Sequence, residues 1–139
     1  MQKSLLNPYL SFNGNARAAM EFYKSVFGGK LDLNTFKEGG VPHDPSEAEH
    51  IMHGMLTADN GITIMGADMP VSLPFTPGNN YSISLSGDNE EELTEYYNKL
   101  SEGGKIGEKL AKAPWGDTFG MFTDKFGVAW MVNVAGPKA

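Results

Sequence analysis

The chain holds three histidines, the residues whose unperturbed charge changes near neutral pH, and no cysteine. Without a thiol, cysteine nucleophiles, disulfides and thiolate-bound zinc are excluded. His53 is the best candidate for acid–base chemistry, and hydrogen bonding to a strand neighbour is its competing role. Asp117 follows Trp115-Gly116 and could act as a base or orient a ligand, with capping of a turn as the alternative. His50 and His53 are three residues apart, which on a strand puts them on opposite faces and rules out joint chelation. His43 lies among Asp44, Glu47 and Glu49, a group that could hold a cation loosely. No Ser-His-Asp arrangement, phosphate-binding glycine loop or dinucleotide fingerprint is present.

The elements that must position these residues are visible in a duplication. Gly54-Met55-Leu56-Thr57 with Gly61 and Met65 recurs 66 residues later as Gly120-Met121-Phe122-Thr123 with Gly127 and Met131. A match this dense indicates one structural unit used twice. Asp59-Asn60-Gly61 and Lys125-Phe126-Gly127 fit three-residue hairpin loops closed by a glycine with positive φ. That register sets Leu56 opposite Ile64 and Phe122 opposite Trp130, large apolar pairs suited to packing under helices.

The other face then receives His53, Met55, Thr57, Thr63, Met65 and Ala67 in the first copy. In the second it receives Phe119, Met121, Thr123, Ala129, Met131 and Asn133. Tyr9, Ser11, Ser82 and Ser84 join by parity. Mixed aromatic, thioether and hydroxyl groups are a common lining for a small-molecule site. The ligand-binding candidates are Tyr9, Ser11, Met55, Met65, Ser82, Trp115, Phe119 and Met131, beside His53 and Asp117 as catalytic candidates. Trp115 and Phe119 are equally suited to core packing. Asp124 precedes the second turn and is expected to hold it by side-chain hydrogen bonds.

Around each hairpin the same order repeats. Tyr9-Leu10-Ser11-Phe12 alternates as a strand, and Asn15 is a plausible cap for a helix with Ala19, Phe22, Tyr23 and Val26 on one stripe. Gly28-Gly29 stops it before a strand from Lys30. Residues 37–50, with two prolines and four acids, read as a long exposed loop. After a proline-rich connector, Ser82–Ser86 alternates, and Asp88 is expected to cap a helix whose acidic first turn, Glu90–Glu92, suits the helix dipole. Gly103-Gly104 ends that helix. The expectation is an α+β chain of two βαβββ modules, 1–69 and 80–139, joined by a connector at 70–79 within one domain spanning 1–139.

The bulk properties bound the partners. A net charge of −6 over 139 residues leaves no basic stripe for nucleic acid or anionic lipid. No segment approaches a membrane span, and Met1–Pro8 has too short an apolar run for a signal peptide, so a cytoplasmic protein is expected. Eight methionines suit an adaptable apolar pocket as well as ordinary core filling.

Pro8-Tyr-Leu-Ser-Phe-Asn-Gly-Asn15, Glu21-Phe-Tyr23, Val26-Phe-Gly-Gly29, Met52-His53, Trp115-Gly116 and Thr123–Asn133 together resemble the vicinal oxygen chelate superfamily. That superfamily includes glyoxalase I, extradiol dioxygenases and the fosfomycin- and bleomycin-resistance proteins, and the match is to its PhnB-like branch. The resemblance implies paired βαβββ modules in a cupped, barrel-like mixed sheet, usually in a homodimer. It implies fold more than activity, since enzymes and binding proteins share this architecture. The superfamily's metal enzymes place four His, Glu or Gln ligands at positions that fall here near Asn7 or Tyr9, at Met65, near Ser82 and at Met131. Thioethers and neutral hydroxyls are poor ligands for hard or borderline divalent metals, so the usual centre is expected to be lost and no cofactor is implied. The methyltransferase label sometimes attached to the branch has no matching nucleotide-binding turn.

Three functions are expected on these grounds. The first is a metal-free protein that binds a small hydrophobic or aromatic molecule. The second is a small-metabolite enzyme of the glyoxalase or dioxygenase type using His53 or Asp117, with or without a metal. The third is a structural or regulatory dimer with a vestigial cavity.

Overall fold

The computed structural model describes residues 3–136. Strand β1 (Tyr9–Phe12) leads to helix α1 (Ala16–Phe27), strand β2 (Lys30–Thr35), a single helical turn α2 (Phe36–Gly39) and a 3-10 turn (Pro45–Glu47). Next comes the hairpin of β3 (Ile51–Thr57) and β4 (Thr63–Asp68). Then the plan repeats with β5 (Ile83–Gly87), α3 (Glu90–Ser101), β6 (Lys105–Lys112), β7 (Thr118–Thr123) and β8 (Ala129–Val134). The chain divides into two compact units, Met1–Thr76 and Pro77–Ala139, with the division inside the proline-rich connector.

Each unit holds one four-stranded mixed sheet, in the orders β1-β4-β3-β2 and β5-β8-β7-β6. The first strand of each unit pairs parallel with its last, and the other pairings are antiparallel. Both modules are therefore βαβββ, and the protein has the α+β architecture its duplication implies.

The hairpin register is the one the glycine-closed loops require. Leu56 pairs with Ile64 and Phe122 with Trp130. Gly61 and Gly127 take φ of 90° and 86°, values that suit glycine best. All four apolar partners are buried, as are Ala19, Met20 and Tyr23 of α1 and Leu93, Tyr97 and Leu100 of α3. The helix-facing side of each sheet thus supplies its core, at roughly 1.5–3 kcal/mol per fully buried large side chain.

Three expectations are corrected. Residues 37–50 are not one exposed loop. Most of the segment is exposed as expected, but it carries two short helical turns and buries Glu47; Thr35 and Glu38 form a capping box, and so do Asp44 and Glu47. Short helical turns of three or four residues carry too little periodicity to be read from sequence. At α3 the cap is Asn89, whose side chain accepts a hydrogen bond from the Glu92 amide; Asp88 lies one residue too early. Asn15 stands at the cap position of α1 but makes no side-chain capping bond. That helix is held from a distant strand: Asp68 Oδ1 accepts from the Gly14 and Ala16 amides while Oδ2 accepts from Ile51.

Candidate functional site

With one face of each sheet under its helix, the other face carries the candidate residues. Cα pairing runs straight across the first sheet from Tyr9 to Met65 to Met55 to Asp32. The second sheet repeats the row as Ser84, Met131, Met121 and Glu108. In both units a pair of facing methionines is flanked by a hydroxyl residue on the first strand and a carboxylate on the outer edge strand. The four methionines are half-buried while their helix-side neighbours are fully buried. The hairpin register already put Met121 on this face, whereas Asp32 and Glu108 could not be placed beside the methionines from sequence, because the pairing of the edge strands β2 and β6 depends on topology rather than spacing.

In the first unit the structure brings Tyr9, Met65, Met55 and His53 together. The Tyr9 hydroxyl lies 3.4 Å from His53 Nδ1, with ring centroids 5.8 Å apart. Tyr9 is 50% exposed and His53 half-buried, so this pair is open to solvent. Ser11 is exposed on the same strand, paired with Ala67.

In the second unit the candidates separate. Phe119 lies on β7, and Trp115, in the loop before it, packs edge-on at 5.8 Å while remaining 63% exposed. Asp117 belongs to a local brace: its Oδ2 accepts from Asn133 Nδ2 and its Oδ1 from the Gly136 amide, at 2.9 and 2.8 Å. These two bonds fix the orientation of the carboxylate between the loop and β8. Ser82 precedes β5 and lines a cavity of about 140 Å³ with Lys105, Gly107, Met121, Thr123 and Ala129. The cavity lies where β6 slips register around Glu108, and sequence spacing gives no sign of that irregularity.

Other titratable groups are structural. Asp124 is 3% exposed and accepts from the amides of Phe126 and Val128 and from the Trp130 indole N–H, so it holds the turn and also serves a buried ring. Hydrogen bonds from the Asp44 and Val71 amides hold the Glu47 carboxyl below its ordinary 4.5. That contribution to stability is complete above the ordinary value and is lost as pH falls through the lowered one. Burial pushes the Tyr97 phenol up, and its hydroxyl donates to the Glu108 carbonyl.

The residues at the superfamily's metal positions do not fit a hard or borderline divalent ion. Tyr9 and Met65 are paired neighbours, Met131 pairs with Ser84, and Ser82 lies outside the strand. The acidic region offers no substitute. His43 Nδ1 is engaged with the Val41 carbonyl, and Asp44 and Glu47 cap backbone amides. Among the described residues, no three of His, Asp and Glu converge to hold a metal ion.

Two βαβββ modules, each closing its first strand against its last, define the glyoxalase type of architecture. The chain belongs to the Glyoxalase/Bleomycin resistance protein/Dioxygenase superfamily, whose model matches residues 5–132. It is similar to protein YjdN of Escherichia coli K12, with 33% identity over 93% of this chain and 94% of that protein. Among solved structures it is similar to PA1353 of Pseudomonas aeruginosa, with TM-score 0.83 and 38% identity covering 95% of this chain and 98% of that one. The PhnB protein of Bacillus cereus aligns with TM-score 0.76 and 29% identity, covering 95% of this chain and 100% of that one. Among the described residues no helix is long and apolar enough to cross a membrane.

Proposed function

We propose that this protein binds a small hydrophobic or aromatic molecule on the helix-free faces of its sheets, without a hard divalent metal centre. The carrying observation is the repeated half-buried methionine pair, Met55 with Met65 and Met121 with Met131. Thioethers are polarizable and conformationally adaptable, so they suit an apolar guest and bind hard cations poorly. Tyr9, Ser11, Ser82, Trp115 and Phe119 supply hydroxyl and aromatic contacts around the pairs. In this reading modules 1–69 and 80–139 form one domain, and the protein works as a cytoplasmic homodimer.

A thermal-shift screen of small aromatic compounds tests the proposal, since a ligand selective for the folded state raises the melting temperature. Hits should appear, and Met131→Glu should weaken them. Uniform indifference of the wild type, or hits untouched by Met131→Glu, would count against it.

The contact between Tyr9 and His53 favours one second reading, a small-metabolite enzyme with His53 as acid–base group. Asp117 is held in a local brace by Asn133 and Gly136. Unchanged turnover by His53→Ala on any substrate found would remove this base.

A further inference from the structure

The groups that disfavour a hard divalent ion form, in the first unit only, a set of soft donors. We propose that His53, Met55 and Met65 form a binding site for a soft monovalent cation of the Cu(I) or Ag(I) type. The proposal is independent of whether an organic molecule binds the same face.

Strand geometry carries the placement. Met55 and Met65 are directly paired on antiparallel strands, which sets their Cβ atoms about 4.5–5.5 Å apart. His53 lies two residues before Met55 on the same strand and therefore projects from the same face. Both methionines and the histidine are half-buried, so the site is reachable from solvent. Thioether and imidazole donors select Cu(I) over hard cations, which prefer carboxylate and carbonyl oxygen.

Tyr9 serves as the positioning residue. Its ring lies against the imidazole, and its hydroxyl is 3.4 Å from Nδ1. In the tautomer with the proton on Nδ1, His53 donates to the Tyr9 oxygen and presents the Nε2 lone pair. Orientation of a ligating histidine through its other ring nitrogen is the usual support for a metal site.

The second unit is an internal control. It has the same facing pair, Met121 and Met131, but Phe119 stands 66 residues after His53 and Ser84 replaces Tyr9 in the row. Two thioethers without an imidazole lack the third donor.

The test is an anaerobic Cu(I) titration of the whole chain against bicinchoninate, with Ag(I) followed by NMR of the methionine methyl groups. Wild type should remove one equivalent of Cu(I) from the chelator. Ag(I) should shift the methyls of Met55 and Met65 and leave those of Met121 and Met131 in place. His53→Ala and Met65→Leu should each weaken binding by about tenfold or more, and Tyr9→Phe by about tenfold. Met65→Leu nearly conserves volume and should fold, and the methyl spectrum of wild type needs no variant. Failure to compete for Cu(I), equal shifts at all methionines, or full affinity in Met65→Leu would overturn the site. Aromatic hits in the thermal-shift screen bear on the small-molecule reading alone.

Discussion

The two units share one chain plan but fasten it with different buried aspartates. In the first, Asp68 at the end of β4 binds the backbone at the start of α1 and of β3. In the second, the residue 66 positions later is Val134, which is buried in apolar contact. There Asp124 holds the hairpin turn and the Trp130 indole, while its counterpart in the first unit is Ala58, also buried. Each difference has a local cause. Ile64 has no polar group to satisfy, whereas Trp130 at the equivalent place, 1% exposed, brings an N–H that needs an acceptor. Helix α3 starts with a working cap at Asn89, and α1 does not have one at Asn15. A duplicated backbone thus tolerates exchange of its polar anchors so long as every buried donor keeps an acceptor.

Removing the anchors should break the units unequally. The largest effect is expected at Asp124. Asp124→Ala leaves two turn amides and a buried indole N–H without their acceptor, and should cost about 3 kcal/mol in denaturant unfolding. In a double-mutant cycle with Trp130→Phe, about 1.5 kcal/mol of that loss should be shared, because a single charged hydrogen bond accounts for it. Strict additivity would show that the turn amides carry the whole effect.

Asp68→Ala should cost about 2 kcal/mol, and its signature is local. Amide exchange should accelerate at Gly14, Ala16 and Ile51, with the second unit unaffected. Unchanged protection at those three amides would mean that Asp68 is not the device that starts α1.

The smallest effect sharpens the same contrast at the helix caps. Asn89→Ala should cost about 1 kcal/mol, and Asn15→Ala less than about 0.3 kcal/mol, since only the first removes a capping bond. Equal losses would contradict the assignment of the α1 cap to Asp68.

The free faces show how much of the site was legible beforehand. Leu56, Ile64, Phe122 and Trp130 could be assigned to the helix side from the glycine-closed loops alone, because pairing in a hairpin is set by the turn. The same register put His53, Met55 and Met65 on one face. It could not reveal that Tyr9 reaches His53, since that contact depends on β1 entering the sheet parallel to β4, where Tyr9 pairs with the distant Met65. Asp117 had the composition of a catalytic carboxylate, but its bonds to Asn133 and Gly136 tie the loop before β7 to β8 and to the chain just beyond that strand.

The sequence by itself determined the duplication, the βαβββ order, the hairpin registers and the side of each sheet that packs under its helix. These are consequences of local turn chemistry and of strand periodicity, which act within a few residues. Only the tertiary structure decided which carboxylates are anchors, which residue starts α1, and that Tyr9 reaches the histidine beside the first methionine pair. Those depend on long-range strand pairing, and a buried polar group takes whatever partner the completed fold brings to it.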